Sequence, residues 1–182
     1  MVEEAVYKID RQFPIKVKDC KLKLLTLDRL DDYIKLVRSR EFNKNIRPKM
    51  SRFSFNKMYE ILADRVMSYG KENKSLEYRA LLVNDEESII GTFTMYFEAD
   101  FMGIAYFVKR EYRGKGYGSS MIASVLEKLP LAEFGIQRVR ARVLADNTLS
   151  CKVLLKNLFL LCDCSKQDND KEVIEFVKEV PV

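Results

Sequence analysis

Arg113-Gly114-Lys115-Gly116-Tyr117-Gly118 sits between an apolar run, Ile104-Ala105-Tyr106-Phe107-Val108, and a helix-like run, Met121-Ile122-Ala123-Ser124-Val125-Leu126. A strand therefore feeds a glycine-rich loop that opens a helix. Glycine lets a backbone turn sharply and approach a ligand closely. The first turn of a helix offers unpaired N–H groups and the positive end of its dipole. Those features together make a pocket for an anion, most often a phosphate or pyrophosphate.

The spacing excludes three familiar phosphate loops. A P-loop needs Gly-x-x-x-x-Gly-Lys-Ser/Thr, which is absent. The dinucleotide fingerprint needs Gly-x-Gly-x-x-Gly early in a βαβ unit. The kinase loop shares that spacing. Here the glycines alternate at 114, 116 and 118, in the second half of the chain. By itself the loop leaves two readings open: an anion site, or a helix-entry turn with no ligand.

The elements around the loop follow from periodicity. Lys21 to Leu25 alternates as a first strand. Asp28 is placed to cap a helix over about 29–40, with Leu30, Tyr33, Ile34 and Val37 on one face. Phe42 to Phe53 is polar and irregular, broken at Pro48. A second helix spans about 55–70, ending at Gly70. Tyr78–Val83 and Ser88–Phe97 form a hairpin around Asn84-Asp85-Glu86-Glu87. Phe101–Val108 is a third strand after the acidic turn Glu98-Ala99-Asp100. After the loop come a helix to about Lys128, a strand at Arg138–Leu144, a helix at Thr148–Lys156, and strands at Phe159–Cys164 and Val173–Val180. The order β-α-α-β-β-β-α-β-α-β-β predicts an α/β fold with a mixed, mostly antiparallel sheet and helices on both faces.

Composition narrows the chemistry. The chain has 182 residues, enough for one domain over 1–182 with a single sizeable core. Its net charge of +5 is spread along the chain, which suits an anionic ligand and argues against a nucleic-acid-binding face. There is no histidine, so no Ser-His-Asp or Cys-His device exists. Any general base is Asp, Glu, Tyr, Lys, Cys or a water chain. Cys20, Cys151, Cys162 and Cys164 lack zinc-site spacing and read as thiols in a reducing compartment, with no metal expected. The N-terminus lacks the pattern of a signal peptide, and no apolar stretch is long enough for a bilayer. The expectation is a cytoplasmic protein without a membrane partner.

Three pieces, in order, resemble the GCN5-related N-acetyltransferase (GNAT) superfamily, and its RimJ/RimL branch in particular. Ile104-Ala105-Tyr106-Phe107-Val108 stands where the branch has a Gly-Tyr-Trp-Ile-like strand. Arg113, Gly116 and Gly118 fit Arg/Gln-x-x-Gly-x-Gly/Ala, the family's acetyl-CoA pyrophosphate loop. Asn147, Ser150, Val153-Leu154, Lys156 and Phe159 match Asn-x-x-Ser-x-x-Val-Leu-x-Lys-x-Gly-Phe. Departures are Leu158 in place of the glycine before Phe159, Leu154 where other branches carry a tyrosine, and Ser119-Ser120 after the loop.

The resemblance implies the GNAT fold, splayed at a cofactor cleft between the strand ending at Val108 and the strand at Arg138–Leu144. It implies acetyl-CoA as co-substrate and direct acetyl transfer to a primary amine, a protein N-terminus or a small molecule. Backbone groups of Phe107 and Val108 would pair with the pantetheine arm. Arg113, Gly114, Lys115, Gly116, Tyr117, Gly118 and Ser119 would cradle the pyrophosphate, with Lys115 adding charge. Asn147 would bind the cofactor, cap the next helix, or both. Lys152 and Lys156 would approach the phosphates. Ser150 is the candidate proton donor or a small residue at a packing contact; Glu98 and Asp100 are candidate bases, an attraction for a cationic substrate or simply an acidic hairpin turn, and Tyr106 is a further candidate base. The basic residues Lys44, Arg47, Lys49 and Arg52 would either form a solvated loop or border an acidic acceptor. Homodimers are common in the family. Two rivals stand beside catalysis: a silent acyl-CoA-binding domain, and a nucleic-acid module stacking bases on Phe53, Phe55 and Tyr59.

Overall fold

The computed structural model describes residues 9–45, 53–69, 77–168 and 171–181. Arg47, Pro48, Lys49, Arg52 and Gly70 lie outside the described residues. The strands are β1 (Ile15–Val17), β2 (Cys20–Leu24), β3 (Glu77–Val83), β4 (Ile89–Glu98), β5 (Phe101–Val108), β6 (Arg138–Leu144), β7 (Leu160–Asp168) and β8 (Lys171–Glu179). The α-helices are α1 (Leu30–Arg38), α2 (Arg40–Asn45), α3 (Phe55–Met67), α4 (Tyr117–Lys128) and α5 (Thr148–Lys156). All eight strands form one sheet in the order β1-β2-β3-β4-β5-β6-β8-β7. Among the described strands only β5 and β6 run parallel, because α4 carries the chain across between them. The expected mixed sheet with helices on both faces is the architecture found.

Strand alternation sends side chains to two apolar clusters. Met102 and Ile104 of β5 join one cluster with Met121, Ile122 and Val125 of α4 and Leu154 of α5. Phe107 of β5 joins the other, with Leu30, Tyr33, Ile34 and Val37 of α1, Phe42 of α2, and Met58 and Leu62 of α3. Each large apolar side chain so buried contributes about 1.5–3 kcal/mol. Polar bonds tie the second layer down: the Arg79 guanidinium on β3 donates to the Tyr33 hydroxyl at 2.6 Å and pairs with Glu77, which also pairs with Arg65 of α3.

Four expectations need correcting. Asp28 does not cap α1. It lies within a 3-10 turn, Leu27–Arg29, and α1 begins at Leu30 without a side-chain cap. A hydrogen bond from the Thr26 hydroxyl holds the Asp28 carboxyl below its ordinary value. The segment after Phe42 is not wholly irregular, because α2 runs to Asn45. Ser39 breaks α1 in an extended conformation, and its hydroxyl accepts from the Phe42 N–H at 3.2 Å to start α2. The second helix ends at Met67, with Ser68 as its C-cap. Finally, β1 is a strand that three residues are too few to announce.

The end of α5 has the form that the replaced glycine would favour. Asn157 is the C-cap and Leu158 follows with φ 63. The Phe159 N–H donates to the Leu154 carbonyl at 3.1 Å, and the Leu158 N–H to the Leu155 carbonyl at 3.0 Å. That pair of bonds is a Schellman motif, whose left-handed position suits glycine. The Leu158 side chain is 74% exposed, so it packs little in return. Leu158→Gly should therefore stabilise the protein by about 1 kcal/mol, seen as a melting temperature about 2–4 °C higher in thermal unfolding. An unchanged or lower melting temperature would contradict strain at this residue.

Candidate active site

The parallel ladder between β5 and β6 is four pairs long: Phe101↔Arg138, Met102↔Val139, Gly103↔Arg140 and Ile104↔Ala141. Beyond Ile104 the two strands part. β5 stays with β4 as far as Gly91↔Val108, and β6 stays with β8 as far as Leu144↔Val173. Each strand is held on its outer side only, and a cleft of ≈ 510 Å³ opens between them. Ile104 to Val108 form one wall and Ala141 to Leu144 the other.

The glycine loop closes one end of the cleft. Gly114 and Gly116 take φ 76 and 87, left-handed values that a β-carbon would strain. Gly116 is the N-cap of α4 and provides no side chain to cap it. The first N–H groups of α4 are thus left for an external acceptor. Arg113, Gly114, Gly116, Tyr117, Gly118 and Ser119 all line the cleft.

The side chains of this loop do other work than the sequence reading assigned. Arg113 folds back: its Nε donates to the Val108 carbonyl at 2.9 Å, and its guanidinium pairs with Glu41 of α2 at 2.6 Å and covers the Phe107 ring. The Val108 carbonyl, expected to be open to a ligand, therefore already accepts a bond. Lys115 is a correction. It does not line the cleft, and its ammonium lies 5.4 Å from the centre of the Tyr112 ring. The Ser119 hydroxyl accepts from the Asn157 side chain at 3.0 Å. The Phe107 side chain points into the second apolar cluster, so its contribution to the cleft wall is backbone.

Helix α5 forms the opposite rim, with Asn147, Ser150, Lys152 and Lys156 facing the cleft. Asn147 caps the helix, its side-chain oxygen accepting from the Ser150 N–H at 3.2 Å. Leu154 is fully buried in the core, so a hydroxyl at that position would not face the cleft. Tyr106 and Ser150 do face it. The Tyr106 hydroxyl donates to the Ser150 carbonyl at 3.3 Å, and burial pushes its pKa up to about 12. Tyr106 thus keeps its proton at neutral pH, which suits a donor and not a base. Burial also raises the Cys151 thiol, keeping it protonated and a poor nucleophile.

Glu98 and Asp100 are the second correction, because neither lines the cleft. They sit before β5, whereas the cleft opens past Ile104, and the loop lies a full strand away, about 23 Å. Asp100 is also paired with Arg138, whose hydrogen bond holds the carboxyl below its ordinary value. No Asp or Glu lines the cleft among the described residues, whereas Arg113, Arg142, Lys152 and Lys156 do. The field inside is therefore positive.

Three participants were missed in the sequence. Arg142 follows Arg140 by two along β6, and strand alternation marks the pair. Glu41 gave no signal, since its partner Arg113 is 72 residues away. Asn157 is 8% exposed and joins α5 to α4 through Ser119, while its carbonyl accepts from Lys178 at 2.8 Å. Among the described residues, no group of three or more His, Cys, Asp or Glu is arranged to hold a metal. Nor is any helix long and apolar enough to cross a membrane.

A family model, the acetyltransferase (GNAT) domain, matches residues 21–159. The chain belongs to the GNAT acetyltransferase family. Membership brings the reaction class with it, acetyl transfer from acetyl-CoA to an amine. No curated protein matches this GNAT chain in sequence. Its fold is that of a RimL ribosomal alpha-N-protein acetyltransferase solved with coenzyme A, with a TM-score of 0.74 at 15% identity over 91% of this chain and 97% of that one. It is also that of a Vibrio cholerae spermidine N-acetyltransferase solved with CoA and spermine, with a TM-score of 0.72 at 13% identity over 89% and 96%. A Salmonella typhimurium enzyme described as modifying an N-terminal serine of a ribosomal protein gives 0.73 at 17% over 92% and 99%.

The Arg113 side chain is the staple between the GNAT loop, the end of β5 and α2. Arg113→Lys keeps the charge and loses the fork that serves both partners. It should cost about 1 kcal/mol, lowering the melting temperature by about 2–4 °C. Glu41→Gln should reproduce part of that loss. Equal melting temperatures for all three proteins would rule out the staple.

Proposed function

We propose that the cleft binds acetyl-CoA and that the chain acetylates the primary amine of a protein N-terminus or a small molecule. The observation that carries this reading is the parting of β5 from β6 beside an uncapped, glycine-led helix start. Backbone left unpaired on the inner edge of β5 fits an extended amide-bearing arm, and the free amides of α4 fit a diphosphate. The surplus of cations in the cleft, with no carboxylate, fits a polyanion. Phe107 and Val108 would serve by backbone, as would Gly114 to Ser119, with Lys115 acting by backbone alone. Asn147 and Lys152 would contact the cofactor from α5, joined by Lys156.

Acetyl-CoA supplies an activated thioester, which an uncharged amine attacks with release of the thiol. The chain's own residues contribute orientation and one proton. Tyr106 is the proton donor in this reading, a role the sequence assigned to Ser150. Tyr106 lines the cleft and its hydroxyl remains protonated. Ser150 lies beside it and holds it through the backbone carbonyl. With no carboxylate lining the described cleft, the acceptor must arrive largely deprotonated or lose its proton to water. The substrates of the structural relatives, a ribosomal protein N-terminus and spermidine, support an amine acceptor of either kind.

Calorimetric titration with acetyl-CoA tests the binding claim. The native protein should bind at micromolar concentration, and Gly116→Glu, which strains the left-handed turn and sets a carboxylate against the diphosphate, should not bind. Binding by neither protein would remove the reading.

Tyr106→Phe tests the donor. The expected result is a fall in kcat of about 10²-fold with little change in the KM for acetyl-CoA. Undiminished turnover would return the role to Ser150. The pH profile of kcat/KM should rise as the acceptor amine deprotonates, levelling near pH 8 for a protein N-terminus and near 10 for a lysine-like amine, given their ordinary pKa values of about 7.7–8.0 and about 10.4. A falling limb near pH 8–9 that disappears in Tyr106→Phe would show that Tyr106 is not held protonated.

A further inference from the structure

The turn between β1 and β2 touches the glycine loop with residues that do not line the cleft. Val17 pairs with Cys20, so Lys18 and Asp19 form a two-residue turn. Lys18 takes φ 57, a left-handed value at a site where a tight hairpin favours glycine. A lysine there costs the turn some stability, and its side chain supplies the return. The Lys18 ammonium donates to the Lys115 carbonyl at 2.6 Å. It also lies 5.1 Å from the centre of the Tyr117 ring and 3.8 Å from the place a β-carbon on Gly116 would occupy. The neighbouring Asp19 carboxylate accepts from the Tyr117 hydroxyl, at 3.0 Å and 3.1 Å to its two oxygens.

These two contacts grip the loop at successive points. In a trans peptide the C=O and the following N–H point in opposite directions. A Lys115 carbonyl held outward by Lys18 therefore turns the Gly116 N–H to the opposite side. Lys18 is not among the residues that line the cleft and Gly116 is, which is consistent with that N–H facing the cleft. Asp19 does the same job one residue on, by fixing the ring that anchors the first turn of α4. Tyr117 is 8% exposed and packs in the core. Hydrogen bonding from Tyr117 holds the Asp19 carboxyl below its ordinary value, so it is charged across the neutral range.

We propose that Lys18 and Asp19 are positioning residues that set the anion-binding conformation of the glycine loop from outside the cleft. This rests on acetyl-CoA being the ligand of the cleft. They touch neither the thioester nor the amine, so their effect falls on the phosphate-bearing half of the ligand alone.

The test compares acetyl-CoA with acetyl-pantetheine, which carries the same thioester and no phosphate. Lys18→Met and Asp19→Ala should each raise the KM and Kd for acetyl-CoA about five- to tenfold. The KM for acetyl-pantetheine should stay that of the native protein, and Lys18→Arg should restore most of the acetyl-CoA affinity. Lys16→Met, an exposed lysine of the same hairpin, serves as a control for net charge and should change neither constant. Melting temperatures of all variants report the fold.

Unchanged acetyl-CoA affinity in Lys18→Met and Asp19→Ala would overturn the proposal. So would an equal rise for both thioesters, which would mean general loosening, or an equal effect of Lys16→Met, which would mean bulk charge. A native protein that binds no acetyl-CoA would instead defeat the functional reading on which the proposal stands.

Discussion

The molecule depends on where one hydrogen-bond ladder stops. β5 and β6 are joined for four residues and then diverge. Had the ladder continued to Val108, the sheet would be closed and the glycine loop would face a solid edge. The divergence is enforced from both sides. β4 holds the far end of β5, β8 holds that of β6, and Arg113 fastens the end of β5 toward α2. Backbone polar groups freed inside a protein must find partners. A gap built of strand backbone is therefore a binding site for something that itself presents amides.

Electrostatics then sorts what enters. The cleft wall carries cations from four places in the chain, Arg113, Arg142, Lys152 and Lys156, and the positive start of α4 adds to them. The carboxylates that might oppose them are spent elsewhere. Asp100 is occupied by Arg138 and Glu77 by Arg65 and Arg79, while Glu41 neutralises Arg113 and leaves Arg142, Lys152 and Lys156 as the surplus in the cleft. Acidic groups thus hold the scaffold together while basic ones face the ligand.

What could be read in the sequence was local. The glycine loop, the alternation of β3 to β6 and the Asn147 cap each rest on residues within a turn or a strand of one another, and each stands in the structure as expected. Leu158 went the other way: leucine in place of glycine argued for an altered helix end, since leucine tolerates the left-handed conformation poorly, yet the chain keeps that conformation there. What failed was long-range or too short. Glu98 and Asp100 were assigned to the site because a turn between central strands looks close to everything, yet strand length carries them to the other end. Lys115 was expected to add charge by its place in the motif, but its ammonium lies over Tyr112 and it does not line the cleft. The three residues of β1 show too little periodicity to be seen, and with them went the hairpin turn that touches the loop.

The strand order has a consequence for how the chain assembles. β1 to β5 are each beside their sequence neighbour, so this part of the sheet can zip up through short loop closures, apart from the helical excursion between β2 and β3. β6 cannot join until α4 has crossed the sheet, and its backbone ladder to the earlier strands is the short parallel one. The last three strands, which exchange order as β6-β8-β7, form their own antiparallel unit. Loop-closure entropy favours the local pairings and delays the crossover. The seam between the early and late units is the same seam at which the cleft opens. The cleft is thus also the join of two folding units, and a ligand that bridges it would bind only the fully assembled chain.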